Sequence, residues 1–162
     1  MLSRQIGLLG FFIMHVLLSV WAGIAAAIGI GILVLLGEMH PNMTLLMAPF
    51  GATAVIIFGL PSSPLARPKN VILGHLITAA IGVCFVELGD GVPLEMAFAT
   101  GLGVTAMLLT GTTHPPAGAN PMVIILAGQG WSFLLAPVLS GAVLLVLVAH
   151  LANRFVHTNK TN

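Results

Sequence analysis

The chain has 162 residues, of which 58% are hydrophobic and only 6% are charged, and its formal net charge is +1. Its mean hydropathy of +1.11 lies far outside the range of water-soluble domains and predicts an integral membrane protein. The near-neutral charge and the absence of basic clusters exclude a nucleic-acid-binding protein. Cys84 is the only cysteine, so the chain cannot form an internal disulfide.

The first apolar stretch continues to Gly37, which is further than one helix perpendicular to the bilayer requires. It is also longer than the apolar core of a signal peptide, so we expect it to be retained. The pattern predicts a surface-lying or strongly tilted part over residues 2–14, followed by a span from about His15 to Gly37.

The second apolar segment runs from residue 43 to 60 and contains the helix-breaking sequence Pro49-Phe50-Gly51, so half of it is expected to be extended. A proline-rich loop over residues 61–70 follows, because its three prolines cannot continue a helix. Two further spans are predicted over residues 71–88 and 94–109, with a turn between them.

A second break occupies residues 110–118, and it is followed by a predicted short helix over residues 120–127 and a last span over residues 133–153. The chain thus reads as span, broken segment, span, twice over. The breaks lie 67 residues apart and pair Pro49 with Pro116, Gly51 with Gly118, Ala52 with Ala119, and Ile57 with Ile124. We interpret this as an internal repeat in one transmembrane domain of residues 1–162, with repeat 1 at about 15–88 and repeat 2 at about 92–155.

The charged residues distinguish two topologies. If both broken segments cross the membrane, the chain crosses six times and all five Lys and Arg residues fall on one side, which is then cytoplasmic. If the broken segments dip in and return, the chain crosses four times and Arg67 and Lys69 fall outside. We favour six crossings, two of them discontinuous, with both termini cytoplasmic. Three crossings per repeat make the second repeat inverted relative to the first, as in many secondary transporters.

Breaks at matching positions of inverted repeats point to a transporter's binding site. The half-helix N-termini, predicted at Ala52-Thr53 and Ala119-Asn120, would face each other near the midplane and offer amide donors and partial positive charge. Because no Lys or Arg lies within the apolar spans, a small monovalent anion or a small polar neutral molecule suits the site. The predicted substrate-binding residues are Gly51, Ala52, Thr53, Thr112, Thr113, His114, Gly118, Ala119 and Asn120.

The sequence also suggests a role for the histidines and for the small residues within the spans. His114 is expected to bind the anion or carry a coupled proton, and the alternative is a histidine that only satisfies a loop carbonyl. His75 is interpreted as an interfacial anchor. The histidines and the cysteine lack metal-ligand spacing, and no carboxylate lies in the apolar segments, so we expect no metal, no cofactor and no enzyme. Helix packing is the expected role of the small residues at spacing four: Gly23, Ala27, Gly31, Gly74, Thr78 and Gly82.

Three stretches, in order, resemble the HPP family of small integral membrane proteins, which is named for its His-Pro-Pro tripeptide. They are PFGATA at residues 49–54, SPLARPKNVILGH at residues 63–75 and THPPAGA at residues 113–119. The resemblance covers roughly residues 20–155. This sequence departs from the family pattern at Arg67, Lys69 and Ala117, where glutamine, arginine and glycine are usual. The family is usually described with four spans, and its cyanobacterial and chloroplast relatives are associated with nitrite transport, so the resemblance implies nitrite as the anion.

The sequence therefore predicts an all-α transport protein that passes nitrite or a similar small anion across a bacterial inner membrane. Its expected partners are the lipid bilayer and the ion. A non-transporting membrane sensor or assembly module is the alternative. A chain of this length with short helices has little interior, which favours a homo-oligomer.

Overall fold

The computed structural model describes residues 2–39, 45–89 and 92–158, and the secondary structure within these ranges is entirely helical. The all-α prediction is thereby confirmed. The helices are α1 (Leu2–Met39), α2 (Pro49–Ala54), α3 (Pro68–Leu88), α4 (Leu94–Thr110), α5 (Asn120–Ala127) and α6 (Ser140–Thr158). A π-helical turn over Val55–Gly59 continues α2, and another over Leu134–Leu139 precedes α6. Short 3-10 turns cover Pro64–Ala66 and Pro115–Ala119.

Three helical stretches are long and apolar enough to cross a membrane, namely Gly10–Met39, Pro68–Leu88 and Leu134–Arg154. These correspond to three of the predicted spans and support a multi-pass membrane protein. The other apolar helices are Pro49–Gly59, Leu94–Thr110 and Pro115–Ala127. At about 1.5 Å per residue, the two broken segments reach about 20 Å or less, short of a hydrocarbon core of about 30 Å.

Helix α1 is continuous from Leu2 to Met39. This contradicts a separate surface-lying part over residues 2–14, whereas a strongly tilted first part is compatible with one continuous helix. The physical reason is that residues 2–14 contain no proline, and their two glycines, Gly7 and Gly10, each cost a helix only about 1 kcal/mol. Length alone therefore gave the wrong division of the first element.

The first broken segment is more helical than predicted. Within its described part only residues 45–48 and Leu60 are non-helical, and α2 begins at Pro49 rather than at Ala52. Proline is favourable in the first turn of a helix because its missing N–H would have no intrahelical partner. The Phe50 N–H bonds the Met47 carbonyl at 3.0 Å and the Gly51 N–H bonds the Ala48 carbonyl at 3.1 Å. The helix start expected at Ala52-Thr53 is therefore wrong by one turn.

The second break agrees more closely with its prediction. Helix α5 begins at Asn120, after the 3-10 turn over Pro115–Ala119, in which the Ala117 N–H bonds the His114 carbonyl at 3.0 Å. Helix α5 ends at Ala127 and is followed by Gly128, which adopts a left-handed conformation with φ of 59°. At both breaks the first amides are thus already hydrogen-bonded within the chain.

Helix α3 lies at the centre of the fold and packs against α4, α5, α6 and the Pro115–Ala119 turn. Two of its glycines make this possible. A Cβ on Gly74 would lie 2.9 Å from the Thr112 carbonyl oxygen, and one on Gly82 would lie 2.9 Å from the Pro121 Cα. The predicted packing role is confirmed for both. On α1, by contrast, a Cβ on Gly23 or Gly31 would have no other atom within 4 Å.

We predict that Gly82→Ala destabilises the fold by about 1–3 kcal/mol, because the α5 backbone cannot give way to the added methyl group. Thermal unfolding in detergent or nanodiscs measures this. Gly101→Ala on α4 is the matched control, since a Cβ there meets nothing within 4 Å, and it is expected to be neutral or slightly stabilising. Equal melting temperatures for the two variants would contradict the close approach of α3 and α5.

Candidate functional site

The polar side chains that the structure buries are concentrated where the two breaks meet α3. Each is at most 1% exposed, and together they are Thr53, His75, Thr78, Thr112, His114 and Asn120. They come from α2, from one face of α3, from the loop after α4 and from the first residue of α5. A buried polar group in a membrane protein requires partners, so their hydrogen bonds define the site.

The His75 imidazole is the centre of this cluster. Its Nε2 lies 2.8 Å from the Thr53 Oγ1, and its Nδ1 lies 3.0 Å from the Asn120 Nδ2 and 3.3 Å from the Asn120 Oδ1. Thr53 and Asn120 are 67 residues apart, which is the offset of the sequence repeat. Equivalent positions of the two breaks therefore bind the two nitrogens of one ring.

His114 completes the cluster on the other side of Thr53. Its Nε2 lies 3.0 Å from the same Thr53 Oγ1, and its Nδ1 lies 2.9 Å from the Leu65 carbonyl oxygen. The His75 and His114 rings stand edge to face with centroids 5.1 Å apart. One hydroxyl group thus bridges two imidazoles.

The Leu65 carbonyl fixes the direction of these hydrogen bonds. A carbonyl only accepts, so His114 Nδ1 carries the proton and His114 Nε2 is an acceptor in the neutral ring. The Thr53 hydroxyl has two acceptors in reach, the His114 Nε2 and the Pro49 carbonyl at 3.1 Å. We assign its proton to the His114 Nε2, because that nitrogen would otherwise have no hydrogen-bond partner. Thr53 then accepts from His75 Nε2–H, and His75 Nδ1 accepts from the Asn120 amide.

Neighbouring bonds hold these side chains in place. The Asn120 amide also lies 3.0 Å from both the His75 carbonyl and the Thr78 Oγ1, and Thr78 donates to the Gly74 carbonyl at 2.9 Å. Asn70 donates to the Thr113 carbonyl at 3.1 Å, which ties the first residues of α3 to the loop that carries His114. The cluster is therefore braced from both breaks and from α3.

The structure brings together three of the predicted site residues, Thr53, His114 and Asn120. Thr112 is buried nearby but bonds the Thr110 Oγ1 at 2.8 Å, and the half-buried Thr113 contributes its carbonyl. The remaining four are not part of the cluster: Gly51 and Ala52 are exposed, and Gly118 and Ala119 are half-buried.

An open apolar groove lies between the starts of the two broken segments. It is lined by residues of α2 and α5 and of the turns beside them, among them Ala48, Pro49, Ala52, Pro115, Pro116 and Ala119. Pro49 belongs to both features, because its carbonyl is within hydrogen-bond distance of Thr53. The groove therefore adjoins the cluster.

Sequence reasoning missed His75. It is completely buried at the centre of the cluster, so its interpretation as an interfacial anchor is wrong. The signal that could have found it is an ionisable residue inside the predicted span over residues 71–88, which is expensive in a bilayer and is functional by default. Among residues 2–39, 45–89 and 92–158, no group of three or more His, Cys, Asp or Glu side chains could hold a metal ion.

The sequence profile of the HPP transmembrane region matches residues 13–162, nearly the whole chain. The chain belongs to the HPP family. Its three HPP-like stretches meet at the cluster: residues 49–54 supply Thr53, residues 63–75 supply the Leu65 carbonyl and His75, and residues 113–119 supply His114. The match in sequence and the buried cluster therefore fall on the same part of the molecule.

Two transmembrane proteins of Dictyostelium discoideum are similar to this HPP protein. One is 35% identical over 146 residues, which cover 83% of this chain and 51% of that protein. The other is 33% identical over 151 residues, which cover 86% of this chain and 49% of that protein. The chain thus spans about half the length of these relatives. No solved structure matches it.

We predict that the two buried rings carry their protons on different nitrogens, His75 on Nε2 and His114 on Nδ1. Solid-state NMR of protein labelled with ¹⁵N-histidine in bilayers reports this directly, with single His→Gln variants to assign the signals and the exposed His150 as an internal reference. The same tautomer for both rings would contradict the direction of the hydrogen-bonded chain.

Proposed function

We propose that this HPP protein transports a small monovalent anion across a membrane, with nitrite as the best candidate, through a site near the midplane where its two broken segments meet. The observation that carries this proposal is the convergence of both breaks on one buried polar cluster. Irregular backbone at membrane depth persists only where it is buried in protein or lines a cavity. Breaks that converge on polar side chains are the arrangement of a transporter site.

The chemistry of the cluster supports a small anion. The buried polar side chains of the described residues are all hydroxyl, amide or imidazole groups, without a carboxylate, a lysine or an arginine. Such groups offer N–H and O–H donors to an anion without repelling it. They also lack a fixed positive charge that would hold it too tightly for release, and transport requires both entry and release.

Entry of the anion would use the groove beside Pro49 and Pro116. The cluster side chains bond one another in this conformation, so the anion would replace bonds rather than fill vacant ones. The Thr53 hydroxyl is the candidate donor, because it lies 3.1 Å from the carbonyl of Pro49, a residue that also lines the groove. Of the predicted binding residues, Ala52 and Ala119 would line this approach.

Two contacts support six crossings. Ser62, which follows the first broken segment, lines one groove with His15 of α1 and Asn153 of α6. The second contact joins the residues after α5 to the end of α3: a Cβ on Gly130 would lie 3.8 Å from the carboxylate of Glu87. In a four-crossing arrangement, each contact would join opposite sides of the bilayer. We therefore propose six crossings with both termini cytoplasmic.

The packing partners also support an inverted repeat. Helix α1 packs against α6 as α4 packs against α3, and α1 packs against the turn after α2 as α4 packs against α5. The counterparts of α1, α2 and α3 in the second repeat are α4, α5 and α6. Replacing each element by its counterpart turns the contact of α1 with α6 into that of α4 with α3. It likewise turns the contact of α1 with the turn after α2 into that of α4 with α5. The two-fold relation of a repeat has this consequence.

A non-transporting sensor or assembly module is the second candidate. The observation that favours it is that the cluster side chains satisfy one another, as in a purely structural core. A measurement of flux separates the two candidates, because only a transporter moves an anion into liposomes. The bacterial inner membrane and a homo-oligomer stay predictions, and the proposal includes no cofactor and no enzymatic step.

We predict that Asn120→Leu lowers nitrite uptake into liposomes by about tenfold or more, because the loss of a buried partner for His75 costs at least about 1–3 kcal/mol. Thr105→Val is the matched control, since Thr105 is exposed on α4 and bonds only the Gly101 carbonyl of its own helix. The control is expected within about twofold of wild type. Uptake by Asn120→Leu at the wild-type rate would contradict the site.

We predict that Ser62 and Ser132 lie on opposite sides of the membrane. Both are exposed, so cysteine can be introduced at either one in a Cys84→Ala background and labelled with an impermeant reagent from each side. Six crossings place Ser62 with the termini and Ser132 on the other side. Labelling of both from the same side would support re-entrant segments and four crossings.

A further inference from the structure

We propose that the bridge His75–Thr53–His114 takes up one proton with each anion, so that the protein is a proton–anion symporter. This inference rests on the proposed transport function and names its coupling ion. It assigns His75 and Thr53 roles that the sequence did not, and it replaces a single proton-carrying His114 with a pair of imidazoles joined by a hydroxyl.

The geometry suits proton transfer because every link is within ordinary hydrogen-bond distance. The Thr53 Oγ1 lies 2.8 Å from one Nε2 and 3.0 Å from the other, and a hydroxyl group both donates and accepts. The outer nitrogens face different groups: His75 Nδ1 faces the Asn120 amide, and His114 Nδ1 faces the Leu65 carbonyl. The bridge thus has one end at the start of α5 and the other at the proline-rich loop before α3.

The proton balance is simple. A proton that binds His75 Nδ1 allows His75 Nε2 to release its own proton to the Thr53 oxygen. The Thr53 hydroxyl passes its proton to His114 Nε2, and His114 releases its Nδ1 proton to a water molecule that would enter beside the half-buried Leu65. One proton enters and one leaves, no other covalent bond changes, and the two rings exchange tautomers. The Asn120 side chain then turns its Oδ1, which lies 3.3 Å from His75 Nδ1, toward the new Nδ1–H.

Electrostatics couples this proton to the anion. A lone anion in a low-dielectric interior is expensive, and so is a lone imidazolium, whereas the pair has no net charge. No buried charged side chain in the described part of the chain could balance either ion instead. An anion in the groove beside Thr53 would therefore favour proton uptake by the bridge, and a proton on the bridge would favour the anion.

Other titratable groups do not replace the bridge. The ring nitrogens of the two histidines bond only to Thr53, Asn120 and the Leu65 carbonyl. The titratable residues on α3 and on the elements packed against it are exposed or half-buried outside the cluster, and they are Arg67, Lys69, Cys84, Glu87, Glu95, His150 and Arg154.

The test is nitrite uptake by purified protein in liposomes, with valinomycin and K⁺ fixing the membrane potential and protein-free liposomes giving the background from nitrous acid. Symport predicts about tenfold accumulation for an interior one pH unit more alkaline. It also predicts no response to an inside-negative potential. Transport of the anion alone predicts the reverse, with accumulation about tenfold lower at about 60 mV.

The wild-type result separates the two proposals. Absence of flux overturns the transport function and the coupling with it, whereas flux that follows the potential and ignores the pH gradient overturns only the coupling. Thr53→Val and Thr53→Ser then test the bridge. We expect pH-driven accumulation to fall to background in Thr53→Val and to return in Thr53→Ser, with Thr105→Val as the control. Wild-type accumulation in Thr53→Val would overturn the bridge.

Discussion

The two-sided engagement of the His75 ring is the constraint on which the rest of this structure depends. A side chain of α2 bonds one ring nitrogen, and a side chain of α5 bonds the other. Neither broken segment is long enough to cross the hydrocarbon alone. Their common attachment to α3 therefore fixes where both segments stop and how they face each other, and the cost of burying an imidazole in a membrane is offset only while both partners stay in place.

Packing and site chemistry are inseparable here. Gly74 leaves room for the loop that carries His114, and Gly82 lets the start of α5 approach the α3 backbone. A side chain at either position would displace a segment that supplies the cluster. The small residues of α3 thus serve helix packing, as is common in membranes, and through that packing they also set the distances within the polar cluster.

The HPP sequence features gain a physical meaning from this arrangement. The second proline of the His-Pro-Pro tripeptide lines the groove beside the cluster, while its histidine faces inward to Thr53 and the Leu65 carbonyl. The proline-rich loop supplies that carbonyl, and α3 continues from the loop to His75. Motifs scattered over about 70 residues of sequence therefore describe one place in the molecule, without any fixed charge.

The sequence by itself determined the membrane class, the helical architecture and the positions of both breaks, because hydropathy, proline and glycine act locally along the chain. It also determined that Thr53 and Asn120 occupy equivalent positions in the two breaks, 67 residues apart. It gave the start of α2 wrongly, since a proline that reads as a helix breaker stands here in the first turn of a helix. Only the tertiary structure decided that the ring between the two breaks is His75 and that Thr53 is shared with His114. That choice depends on which face of α3 is turned inward, and partners up to 61 residues apart decide it rather than any local pattern.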